Sequence, residues 1–172
     1  MILAEKEGFF RKGFAYIKNL SLIISGLSVL IIMGIIVVDV ILRNIFNDSI
    51  SGNYEIIQKY FMPLAVFPAL ALTYGSGLMP RLEMFVVKMP AKIQKYIAVA
   101  LAVIDLIIML LITVYTLNYA VQALGEKITF PAGGSMYPLY PVLFIVPIGF
   151  FMLAIEVLFK IIDSFRTGDQ HL

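Results

Sequence analysis

Charged side chains are few in this chain, and three pairs share one spacing. Asp39 and Arg43, Glu55 and Lys59, and Glu156 and Lys160 each stand four residues apart inside or beside a long apolar run. On a helix that spacing stacks an acid against a base one turn away. A base at a membrane boundary can also send its head group to the polar interface while its stem stays in the apolar layer. Asp105 differs, because it sits near the middle of an apolar run with no charged neighbour within one turn. A carboxylate at the centre of a membrane helix costs roughly 2.5–3.5 kcal/mol on insertion scales. It must meet a partner from another helix, be protonated, or reach water. Proton or ion transfer across a bilayer would need a chain of such groups, and the sequence offers a single acid at mid-depth.

Other chemistries lack their residues. There is no cysteine, and the one histidine, His171, stands next to the last residue. Thiolate or imidazole metal sites, haem ligation and Cys or His nucleophiles are therefore without candidates. No GxxxxGK[ST] phosphate loop occurs, and a net charge of +2 is too small and scattered for nucleic acid. The expectation is a protein without cofactor, metal or catalytic residues, and not an enzyme.

The elements that carry these residues follow from hydropathy. Hydrophobic residues make up 61% of the chain, against roughly 45–50% in soluble domains. Four runs approach or exceed the roughly 20 residues needed to cross a bilayer, at about residues 20–42, 54–78, 96–121 and 139–162. The first has no small-residue cleavage site after it and reads as a retained helix rather than a signal peptide. Residues 1–172 are thus expected to form one membrane domain, an all-α integral membrane protein with four transmembrane helices and short in-plane amphipathic helices. Lys6, Arg11, Lys12 and Lys18 precede the first run, Arg81, Lys88, Lys92 and Lys95 fill the second connection, and Lys160 and Arg166 lie near the end. The first and third connections carry only Arg43 and Lys127, so the positive-inside rule places both termini in the cytoplasm.

The two in-plane helices are expected at residues 5–19 and 80–95. In the first, Phe10, Phe14 and Ile17 share a face and basic residues fill the remainder; in the second, Leu82, Phe85, Val86 and Met89 form a stripe between Pro80 and Pro90. Membrane lipids are their expected partners. Within the spans, Ser21, Ser25, Ser28 and Asp39 project to one narrow face of the first helix, which should meet protein rather than lipid. Ala65, Ala69, Thr73 and Gly77 form a small-residue stripe on the second, where another backbone can approach closely. Pro63 and Pro68 should bend that helix. The third connection, GEKITFPAGGSMYPLYP, is rich in Gly and Pro, with tyrosines suited to a headgroup layer and prolines suited to opening the fourth helix.

The stretch RNIFNDSISGNYE, with Arg43, Phe46, Asn47, Ser49 and Glu55 directly after the first run, resembles the signature of the small membrane subunit of tripartite ATP-independent periplasmic (TRAP) transporters. The second connection, MPRLEMFVVKMP, is similar to that family's loop, with Arg81 and Glu83 at its basic and acidic positions. It departs from it in having Met79 and Pro80 where many members carry a histidine, and Glu83 where Asp is more usual. The resemblance covers essentially the whole chain. It implies a non-catalytic subunit in a bacterial or archaeal cytoplasmic membrane, bracing a large multi-helix permease that holds the substrate and sodium sites. An extracytoplasmic binding protein would deliver an organic acid. Asp39, Arg43, Phe46, Asn47, Glu55, Lys59, Arg81, Glu83 and Asp105 become the candidates for contact with partners, and the serines and the small-residue stripe those for helix packing. The main alternative is a self-contained four-helix transporter using Asp39, Asp105 or Glu156 as its coupling acid. A membrane enzyme or electron carrier is the weakest reading.

Overall fold

A computed structural model of the chain describes residues 2–75 and 91–167. Its first helix, α1 (Ile2–Phe46), runs 45 residues without a break. At 1.5 Å per residue that is about 67 Å, more than twice the thickness of a bilayer's hydrocarbon core. The amphipathic segment 5–19 is therefore helical and continuous with the first span. The second span, α2 (Asn53–Gly75), is built from short pieces of different pitch. The third, α3 (Ala91–Gly125), is regular. A short hairpin, β1 (Thr129–Ala132) and β2 (Ser135–Pro138), leads into α4 (Tyr140–Leu143) and α5 (Ile145–Thr167), which together form the fourth span. Four helices are thus long and apolar enough to cross a membrane, and this is an integral membrane protein. The connection 80–95 lies largely outside the described residues.

The irregularity of α2 follows from its prolines. Pro63 and Pro68 have no N–H to donate to the carbonyl four residues earlier. The turn before Pro63 widens into a π segment over Ile57–Phe61, and the turn containing Pro68 tightens into a 3₁₀ segment over Phe67–Ala69. Pro141 and its missing N–H fall in the first turn of α4, where no intrahelical partner is lost.

α5 is the centre of the assembly. In its most apolar stretch 44% of residues are buried, against 6% in α2 and in α3. The first half of α2 packs on α1, its second half on α5, and α3 lies along α5. Side chains are small where backbones come closest. A Cβ on Gly149 of α5 would stand 2.6 Å from the carbonyl oxygen of Phe67, so only glycine fits there. Ala71, Ala102, Ala120, Ala123, Leu153, Ala154 and Val157 fill the seams. Both α1 and α3 leave most of their apolar surface outside the bundle.

The third connection is an antiparallel hairpin rather than an irregular loop. Phe130 pairs with Tyr137 and Ala132 with Ser135, leaving Gly133 and Gly134 as a two-residue turn. Their φ values of 55° and 82° are those of a type I′ turn, whose twist suits the two strands. At its start, Lys127 ends α3 in the left-handed conformation, with φ 49°. Lys127 N–H donates to Leu124 O at 3.3 Å and Ile128 N–H to Ala123 O at 3.0 Å, the two bonds of a Schellman cap.

Candidate functional site

Polar side chains gather at the two ends of the bundle. At the end where α1 meets α2, Asp39 is buried and uses both carboxylate oxygens. One accepts the Ile50 N–H at 2.8 Å, and the other accepts from Arg43 Nη2 at 3.1 Å. The backbone contact holds the polar segment 47–52 against the end of its own helix. Asn47 takes the left-handed conformation that terminates α1, with φ 53°. Gly52 then opens α2 with φ 77°, accepts the Ile56 N–H at its carbonyl oxygen, and lies directly against the hairpin. A Cβ at Gly52 would meet Gly133 N at 2.4 Å, and one at Gly133 would meet Ser51 O at 2.6 Å. The first connection and the hairpin turn therefore interlock backbone to backbone. Phe130 is buried beneath this contact, edge-on to Tyr60 of α2 with ring centroids 5.4 Å apart, while the Tyr60 hydroxyl donates to Pro138 O. The end is closed by direct backbone-to-backbone contact.

The opposite end joins four elements through charge. Lys18 of α1 donates to both carboxylate oxygens of Glu156 on α5, each at 3.0 Å. Its ammonium also lies 5.4 Å from the Phe14 ring, which packs edge-on against Phe159. Gly75 leaves room for the pair, since a Cβ there would stand 2.3 Å from Glu156 Oε1 and the carboxylate would have to shift. Lys160 donates to Tyr74 O at 2.6 Å, and its ammonium lies 4.5 Å from the centroid of the Tyr74 ring. The Tyr74 hydroxyl donates to Asp105 Oδ2 of α3 at 3.3 Å, and the side chain packs, as does Leu106, against the cluster of Ala102, Val157 and Ile161.

Between the ends, Ser21, Ser25 and Ser28 are buried on the same side of α1 as Asp39. Ser25 donates to Ala65 O, Ser28 to Ile24 O at 2.8 Å, and Ser21 faces Met152 Sδ at 3.8 Å. Ala65, Ala69 and Thr73 are half-buried, with the Thr73 hydroxyl donating to Ala69 O at 3.0 Å. Gly77, Arg81 and Glu83 lie outside the described residues.

Two of the three four-residue spacings behave differently from expectation. Asp39 and Arg43 form the pair. Glu55 and Lys59 form no ion pair among the described residues, because the π segment beginning at Ile57 lengthens the turn between them. Glu55 is half-buried in the first turn of α2, where an acid suits the helix amino terminus, and Lys59 is exposed. Glu156 meets Lys18 rather than pairing with its own helix alone. Phe46 is exposed beyond Arg43. Long-range partners such as Lys18, Tyr74 and Gly75 have no local signal. The hairpin does: Gly-Gly between short runs rich in β-branched and aromatic residues is a type I′ turn signature.

Asp39, Glu156 and Asp105 are thus each held by a protein group, and no three His, Cys, Asp or Glu side chains converge among the described residues. A family model described as "Tripartite ATP-independent periplasmic transporters, DctQ component" matches residues 32–167. No curated protein matches the chain.

Proposed function

The chain belongs to the DctQ component family of tripartite ATP-independent periplasmic transporters, and from that premise we propose that it is a brace and not a conduit. In this reading it enlarges and stiffens the membrane-fixed part of a large permease. That permease takes up an organic acid delivered by an extracytoplasmic binding protein, driven by a sodium gradient. The observation that carries the reading is the family match along most of the chain. The acids support it. Asp39 is engaged by Arg43 and a backbone N–H, Glu156 by Lys18, and Asp105 by the Tyr74 hydroxyl. Each lies on a different helix contact, and a relay would need them in sequence across the bilayer.

By the positive-inside rule the end bearing Lys18 and Lys160 faces the cytoplasm, and the interlocked end of residues 47–52 and 129–138 faces outward. A preformed, stiff surface there suits docking of a binding protein, because little ordering entropy is lost on contact. Arg43, Phe46, Asn47, Glu55 and Lys59 border that surface.

The test is reconstituted uptake in liposomes. The chain alone should transport nothing, and adding the large permease and binding protein should restore sodium-dependent uptake. The Asp105→Asn variant, which keeps a hydrogen-bonding group beside Tyr74, should retain most of that uptake. Transport by the isolated chain, abolished by Asp105→Asn, would replace the brace with a self-contained transporter.

A further inference from the structure

The outer face of α3 carries side chains that lipid cannot satisfy. Its apolar stretch, Val99–Gly125, is 27 residues long and centred on Ile112. With a hydrocarbon half-thickness of about 15 Å and 1.5 Å per residue, roughly ten residues on each side of that centre lie among acyl chains. Tyr115 is three residues from the centre, about 5 Å, and Asn118 six, about 9 Å. Tyr119 and Gln122 follow on the same face, because positions 115, 118, 119 and 122 repeat at helical spacing. All four are exposed, Tyr115 at 72%. Asn118 points directly away from the seam with α5 that Ala102, Ala120 and Ala123 fill.

An interfacial aromatic belt does not account for this stripe. Tyr115 and Asn118 lie too deep, and side chains on a helix lean towards its amino terminus, here towards the bilayer centre and away from the nearer surface. The neighbouring hydroxyls show the contrast. Thr113 and Thr116 return their hydrogens to Met109 O and Ile112 O, each at 2.7 Å. Neither the Asn118 nor the Gln122 side-chain amide finds a hydrogen-bond partner among the described residues. An amide left in hydrocarbon is costly, and polar residues at such positions hydrogen-bond across to other helices.

We propose that the face of α3 formed by Tyr115, Asn118, Tyr119 and Gln122 is the docking surface for a membrane helix of the large permease. That helix presents an amide, hydroxyl or carboxylate at the depth of Asn118. The inference rests on the brace reading for the identity of the partner; the need for a polar partner comes from the stripe itself. The large subunit is favoured over a second copy because membership of a multi-component transporter family supplies a membrane-embedded partner, and bulky tyrosines on both sides of Asn118 hinder the close approach of two identical helices.

Site-specific photocrosslinking in the intact complex tests this. A photoreactive phenylalanine analogue replaces Tyr115 or Tyr119, and Ile23 on α1 serves as control. On illumination of membranes holding the chain and its large permease, positions 115 and 119 should yield a covalent adduct of the two subunits, and position 23 should not. Asn118→Leu, an exposed substitution that leaves the fold unstrained, should reduce recovery of the complex by about threefold to tenfold. A complex that forms normally but crosslinks only from position 23, or from 115 only to a second copy or to lipid, overturns the assignment of this face while leaving the brace intact. Failure of the wild-type chain to form any complex overturns both.

Discussion

The residue with the most informative surroundings is Glu156. Taking an acid and an amine out of water costs several kcal/mol each, and their contact offsets that cost only while both are present. Lys18→Met should therefore destabilise the protein by about 2–4 kcal/mol, by leaving a carboxylate without its cation in an apolar seam. Adding Glu156→Gln should recover a large part of the loss, because the double variant has no orphaned charge. Unfolding of the single and double variants by heat or by titration with a denaturing detergent measures the coupling, and strict additivity would show that the two side chains act independently. The local spacing of Glu156 and Lys160 was legible in the sequence; the partner 138 positions away was not. Helical periodicity reports which residues share a face, whereas contacts between helices depend on how those faces are brought together. Asp105 illustrates the same division: the apolar run around it signalled the need for a partner, but only packing showed that it lies towards one end of the bundle rather than its middle, beside the hydroxyl of Tyr74.

At the scale of elements, the long apolar runs and the buried face of α1 could be read directly. Ser21, Ser25, Ser28 and Asp39 share one side because 100° per residue brings them there, and that side is the one covered by α2 and α5. What periodicity alone could not provide was the pitch of α2, where prolines substitute π and 3₁₀ turns for regular helix, or the hairpin before α4. The interlock between Gly52 and Gly133 makes a sharp prediction about that hairpin. Gly52→Ala adds a methyl to a left-handed residue and drives it to 2.4 Å from a backbone nitrogen. It should cost about 1–3 kcal/mol. For a chain of this size that corresponds to a fall in Tm of roughly 2–4 °C per kcal/mol. Gly134→Ala makes a control of different kind, because it meets the same left-handed strain, at φ 82°, with no neighbouring atom within 4 Å. Thermal unfolding should therefore place Gly52→Ala below Gly134→Ala, and equal midpoints would mean that the close approach carries no energy.

Taken whole, the molecule is a bundle with one well-buried helix and wide uncovered flanks. α5 holds the others together, the two polar ends fix its length, and α1 and α3 present mostly apolar surface outward. That distribution suits a subunit whose neighbours are lipid and another membrane protein. The measurement that bears most directly on this account is quantitative co-purification. The tagged chain is expressed with its large permease, extracted in mild detergent, and its stoichiometry and mass are determined by light scattering. The brace account predicts a stable complex with a fixed ratio of the two subunits. A chain that elutes free of the permease, at every expression ratio and in every mild detergent or nanodisc that keeps both proteins folded, would contradict it.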